Sequence, residues 1–116
     1  MTHPSDASTQ ILRDISLRHI SIQNSGKRPI AIAITSYLEG PTPTPLATLV
    51  GGEIKHMGIN SHGGPPQYIW ILNNETGEQV GTTTLIRSDA QDLVLRDGVN
   101  KWWVQFFKRP SFSPAH

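Results

Sequence analysis

Apolar and polar side chains alternate with a strand-like period along much of this chain, most plainly between residues 93 and 107. There Leu93-Val-Leu-Arg-Asp97 and Lys101-Trp-Trp-Val-Gln-Phe-Phe107 flank Gly98, and an Asp-Gly pair between two alternating runs predicts a β-hairpin. Successive side chains of a strand leave opposite faces, so Trp102, Val104 and Phe106 share one face and Trp103, Gln105 and Phe107 the other. Both faces are apolar: one lines an interior and the other requires cover. A slip of one residue exchanges the faces, which leaves open whether Trp102 or Trp103 points inward.

The two-sided pattern returns at 68–72, with Tyr68, Trp70 and Leu72 on one face and Ile69 and Ile71 on the other. Ile30, Ile32 and Ile34 alternate with Ala31 and Ala33, which predicts a core strand whose alanine face lets a second layer approach. From Ile15 to Gln23 the apolar phase shifts between Leu17 and Ile20, predicting a bulge or bend near His19. Glu53 to Asn60 reads as a further strand with imperfect alternation, and Val80 to Arg87 as an exposed strand carrying Thr82, Thr83 and Thr84. The turn-rich Asn73-Asn-Glu-Thr-Gly-Glu78 precedes the latter, making a second hairpin. Ser88-Asp-Ala-Gln91 predicts one capped helical turn.

Pro41, Pro43 and Pro45 remove amide donors in alternation, so their segment is no central strand. It reads either as a stiff crossover between sheets or as a proline-rich ligand for an aromatic groove, although no Pro-x-x-Pro is present. Together these elements predict a single-domain antiparallel β-sandwich of about seven strands over residues 11–109. Residues 1–10 are expected to form a flexible tail, disordered or with a short helix over Ser5 to Asp14, and residues 110–116 a second tail.

The 116 residues are enough for a real core. With 36% hydrophobic and 16% charged residues the composition is that of an ordered domain. A net charge of +1 supplies no broad field for phosphate backbones, so nucleic acid is not an expected partner. The absence of cysteine excludes disulfides and thiolate chemistry, and the chain shows neither an apolar signal core near Met1 nor a run of about 20 apolar residues. The expectation is a soluble cytoplasmic protein without a membrane span.

Candidate chemistry is sparse. His56 and His62 lie across a Gly-rich bend, a spacing at which a metal or a small hydrolytic site would form, but no His-x-His pair or cysteine joins them. Gly58-Ile-Asn-Ser-His62 lacks the last glycine of a nucleophile elbow. Asp89, Asp92 and Asp97 match no calcium loop, and the pairs Gly51-Gly52 and Gly63-Gly64 precede no helix that would strengthen an anion site. Lys27-Arg28 and Lys108-Arg109 would form a basic spot if the first and last strands were neighbours. No metal and no cofactor are expected.

The aromatics weigh more. Two large rings left outside expose roughly 300–500 Å², as much as the largest apolar patch of a typical monomer. If the 68–72 and 102–107 strands are close, their outward sides merge into one surface. The expected function is therefore a non-enzymatic protein-binding or self-assembly module using Tyr68, Trp70, Trp103 and Phe107, with a second copy or another protein as partner. The alternative is a carbohydrate-binding sandwich, with Trp102, His56 and His62 as further peptide or sugar contacts. A hydrolase or metal site around His56 and His62 is a third reading.

Ile22-Gln-Asn-Ser-Gly-Lys-Arg-Pro-Ile-Ala-Ile-Ala-Ile-Thr-Ser-Tyr-Leu-Glu-Gly-Pro41, then Ala47-Thr-Leu-Val-Gly-Gly52 and Tyr68-Ile-Trp-Ile71, resembles the β-domain of the von Hippel-Lindau family. The shared elements are an Asn-bearing turn, an apolar strand, an acidic-Gly-Pro loop, a Thr-Leu-x-x-Gly turn and an apolar-Trp strand. The resemblance implies a seven-stranded sandwich that reads hydroxyproline in an extended peptide through a pocket of aromatic, Ser and His side chains. Of that pocket Trp70 matches by position, whereas Leu46 falls near the family's Tyr and Tyr68 near its His. No helical ligase-recruiting segment follows Phe107, so the resemblance carries the fold, with peptide binding only as an addition.

Overall fold

The computed structural model describes residues 17–60 and 64–108. Within them the chain is all-β, with eight strands: β1 (Leu17–Asn24), β2 (Ile30–Thr35), β3 (Ala47–Leu49), β4 (Ile54–Asn60), β5 (Tyr68–Asn73), β6 (Thr84–Leu85), β7 (Asp92–Asp97) and β8 (Trp102–Phe107). They form two four-stranded sheets, ordered β4-β1-β7-β8 and β3-β2-β5-β6. The expected tails 1–10 and 110–116, the helix within 5–14 and His62 lie outside the described residues.

The sheets face each other across a core of β-branched and Leu side chains. Ile20 and Ile22 of β1, Ile30 and Ile32 of β2, Leu49, Ile69, Ile71, Leu93, Leu95 and Trp102 are all buried in one cluster. Each is contributed by alternate positions, which is how a half-buried strand converts its period into a core. The β7–β8 hairpin forms as its sequence indicates, with Leu95 opposite Val104 and Arg96 opposite Trp103.

Several expectations change. Every named strand pair is antiparallel except β1 with β7, which run parallel from Ser21↔Asp92 to Asn24↔Leu95. A parallel neighbour needs a long crossover, and here the intervening chain builds β2 to β6. No bulge interrupts β1 at His19: its register against β4 is continuous from Leu17↔Asn60 to Gln23↔Ile54. Leu17 simply faces outward, so its apolar side chain had mimicked a change of phase. The run 80–87 is not one strand; only Thr84–Leu85 pairs as β6, while Gln79 and Gly81 make isolated bridges. Residues 88–91 make a tight turn, closed by Ala90 N–H donating to Arg87 C=O at 3.1 Å, instead of a helical turn. The Pro-rich segment does not cross between sheets; it joins β2 to β3, neighbours in the same sheet.

One seam links the two sheets. Val80 N–H donates to Ile71 C=O on β5, while Val80 C=O accepts from Trp102 N–H on β8, both at 2.9 Å. Gly81 sits in that seam because a Cβ there would come within 2.8 Å of Trp102 O. At a corner of the sandwich the fully buried Asn24 holds three segments together. Its Nδ2 donates to Arg28 O (2.8 Å) and Leu49 O (3.0 Å), and its Oδ1 accepts from Gly26 N–H (2.9 Å). Such complete pairing is what makes a buried amide tolerable. Near the other end, Arg18 donates to the carbonyls of Ala90 and Arg87 and fastens the 86–91 connection. Burial pulls its guanidinium below the ordinary value, opposed by the Asp89 carboxylate.

Candidate functional site

The outward faces of the two sheets treat their aromatics differently. On the second sheet Trp70 lies beside Ala33 and Leu72 beside Ala31, and the small alanines leave room for the indole. Tyr37, from the Pro-rich loop, closes over it edge-on, with ring centroids 5.8 Å apart and planes at 70°. Polar bonds hold this cover down: Trp70 Nε1 donates to Thr35 Oγ1 (2.7 Å), Thr35 Oγ1 to Tyr37 O (2.6 Å), and Tyr37 OH to Pro41 O (2.7 Å). Trp70 is left 3% exposed. It offers no open binding surface, and the Pro-rich loop is its lid. Tyr68, on the same face, is half-buried.

The first sheet has no such lid among the described residues. Trp102 is the inward ring, 3% exposed and part of the core, so the sugar or peptide contact considered for it has no accessible ring to use. Trp103 and Phe107 face outward at 46% and 41% exposure. Gln105 stands between them on β8, fixed by Arg96 Nε donating to its Oε1 at 2.9 Å. The half-buried Val94 and the β1 residue Gln23 continue the face away from the edge. The surface is thus two exposed rings beside a polar, hydrogen-bonded field.

The topology does not merge these two aromatic groups. Tyr68 and Trp70 belong to β5 of the second sheet, Trp103 and Phe107 to β8 of the first, and their outward faces lie on opposite sides of the sandwich. The combined patch foreseen from the sequence does not form. Among the described residues the joint basic spot does not form either: Arg28 reaches Asp97 at 3.0 Å at one end of the hairpin, while Lys108 follows Phe107 at the other, and Arg109 lies outside the described residues.

His56 is exposed on β4, in a row that crosses the outward face of the first sheet as His56, Ser21, Asp92 and Phe107. Ser21 Oγ donates to Asp92 Oδ1 at 2.5 Å. A hydrolytic relay needs the imidazole between hydroxyl and carboxylate; here the hydroxyl occupies the middle. Among the described residues no group of three or more His, Cys, Asp or Glu side chains stands at metal-binding distance.

A cleft of about 560 Å³ opens at the end of the sandwich where the 25–29, 74–79 and 98–101 loops meet. Its lining mixes Arg28 and Lys101 with Asp97 and Glu75, and the Arg28–Asp97 bridge joins two of its walls. No local motif marks it, since its walls come from three distant parts of the chain. No helix of the described residues is long and apolar enough to cross a membrane. No protein-family model, curated protein or solved structure matches this chain.

Proposed function

We propose that this protein is a non-enzymatic binding module that docks a protein partner on the outward face of its first sheet, through Trp103 and Phe107. The observation that carries the reading is the contrast in exposure: Trp70 and Trp102 are buried, whereas Trp103 and Phe107 are open at 46% and 41%. Exposed aromatics on a rigid strand are the residue types that anchor protein interfaces, because they bring large contact area at small entropic cost. Arg96 and Gln105, already bonded to one another, supply the polar surroundings of such an anchor.

The polar field beside the rings also favours a second reading, stacking of a sugar ring on Trp103 with Arg96 and Gln105 as hydroxyl partners. Two experiments separate them. A photo-crosslinking group at the exposed Lys108, next to Phe107, used in cells that make the protein, is expected to trap a defined protein with the native face. The Trp103→Ala version should lose it, and a Val99→Ala control at the exposed loop tip should retain it. Trapping that is indifferent to Trp103→Ala would sink the proposal. Binding of the native chain, but not of Trp103→Ala, on a glycan array would move the assignment to carbohydrate.

A further inference from the structure

We infer that β4 is a homodimerisation edge, where two copies of this chain pair antiparallel about His56 and extend the first sheet into one continuous sheet. The argument begins with backbone direction. Asn24 N–H donates to Glu53 O and Asn24 O accepts from Gly52 N–H, so the even-numbered residues of β1 point toward β4. In the observed register Ile22 opposes Lys55, Ile20 opposes Met57 and Arg18 opposes Ile59. The amides and carbonyls of Lys55, Met57 and Ile59 are therefore used within the sheet, and those of Ile54, His56 and Gly58 point out of its edge. Among the described residues nothing pairs with them on that side. The next outward amide, that of Asn60, is capped by Gln67 Oε1 at 2.8 Å, which ends the open ladder.

These three open positions are spaced evenly about His56, and that makes the edge complementary to itself. An antiparallel partner that uses all of them must place Ile54 opposite Gly58 of the second copy, His56 opposite its equivalent, and Gly58 opposite Ile54. This is the isologous contact of a two-fold dimer. The side chains fit the same register. Ile54 is 51% exposed and Leu17 61%. Gly58 carries no side chain, and Leu17 Cδ1 lies only 3.1 Å from where its Cβ would be. Pairing sets Ile54 of one copy into the space over Gly58 of the other, against Leu17, and symmetry repeats the contact. Two exposed apolar side chains per copy are covered by one register. Lys55, whose ammonium lies 3.7 Å from Glu53 Oε2, falls opposite Met57, so the two Lys55 ammonium groups do not meet across the pair.

The other edges are less suited. β8 is sealed at Trp102 by the 80–82 segment, β3 is 3 residues long and β6 is 2 residues long. An open, regular edge strand is a site that proteins either protect or use. The inference does not rest on the aromatic face, since Trp103 and Phe107 lie on β8, beyond β1 and β7.

Amide hydrogen exchange on the full chain at low and high protein concentration, together with sedimentation velocity, tests it. The amides of Ile54, His56 and Gly58 should gain at least tenfold protection at high concentration, while those of Lys55, Met57 and Ile59 are slow throughout. His56→Pro removes only an outward donor, so it should leave the circular dichroism unchanged and shift the dimer to monomer. Ile54→Lys is the second variant should the proline variant not fold, with the same expected loss of dimer. Trp103→Ala should remain dimeric. A native chain that is monomeric throughout overturns the inference, as do a dimer surviving in folded His56→Pro and a dimer lost in Trp103→Ala.

Discussion

The strands Tyr68–Asn73 and Trp102–Phe107 have the same signature, apolar on both faces with an indole on the outward side, yet one indole is roofed and the other open. The difference lies in their neighbours. Beside Trp70 the register places Ala33, and beside Leu72 it places Ala31, so small apolar side chains stand next to the indole on the outward face of the second sheet. A loop anchored by Thr35 and Pro41 carries Tyr37 across it. Beside Trp103 the register places Arg96, and beside Phe107 it places Asp92. These polar side chains are held by their own hydrogen bonds on either side of Val94, so the floor a covering loop would meet is mostly polar. Cover is thus decided by what stands beside an aromatic, and the aromatic strand itself does not reveal it.

The comparison is broken most directly at Trp70. Trp70→Ala empties a site enclosed by Ala31, Ala33, Leu72 and Tyr37 and leaves Thr35 Oγ1 without its indole donor. A loss of about 3–5 kcal/mol is expected from denaturant-induced unfolding. A loss near that of a surface residue would mean that the Pro-rich loop does not form a lid. Next in size is Ala33→Leu. The added carbons must enter the layer that Trp70 already fills, and overpacking of this kind costs about 1–3 kcal/mol. The matched change Val94→Leu is made at a half-buried position on the first sheet with no aromatic ring packed beside it in either apolar cluster, and its unfolding midpoint should barely move.

How much of this was legible depends on how local the deciding contact is. The alternation of Ile and Ala in β2 and of the aromatics in β8 is local, and both strands formed with the faces read from it. The same holds for the turn at Asn73, whose Oδ1 accepts from Glu75 N–H and Thr76 N–H. What was not legible depends on partners far along the chain. The inward choice of Trp102 is fixed by its bonds to Val80 and Thr82, and the short β3 by pairing with β2 and by Asn24 reaching Leu49 O. Leu17 carried a misleading signal because an exposed leucine has the same hydropathy as a buried one. For the site, the pattern indicated surplus aromatic surface without indicating that the Pro-rich loop would cover half of it.

The smallest expected effect sharpens the comparison most. Trp103 already meets water over nearly half its surface, at 46%, and is absent from both apolar clusters. Removing it creates no enclosed cavity, so Trp103→Ala should change unfolding stability by only about 0.5 kcal/mol. Its spectroscopic effect should be large by contrast. With Trp70 and Trp102 buried, Trp103 is the indole that acrylamide reaches, and Trp103→Ala should remove the readily quenched, red-shifted part of the emission while leaving the fold intact. A stability loss approaching that of Trp70→Ala, or unchanged quenching, would mean that Trp103 is covered in solution. The two faces would then be alike, and the proposal that one of them is held open for a partner would fall with the distinction between them.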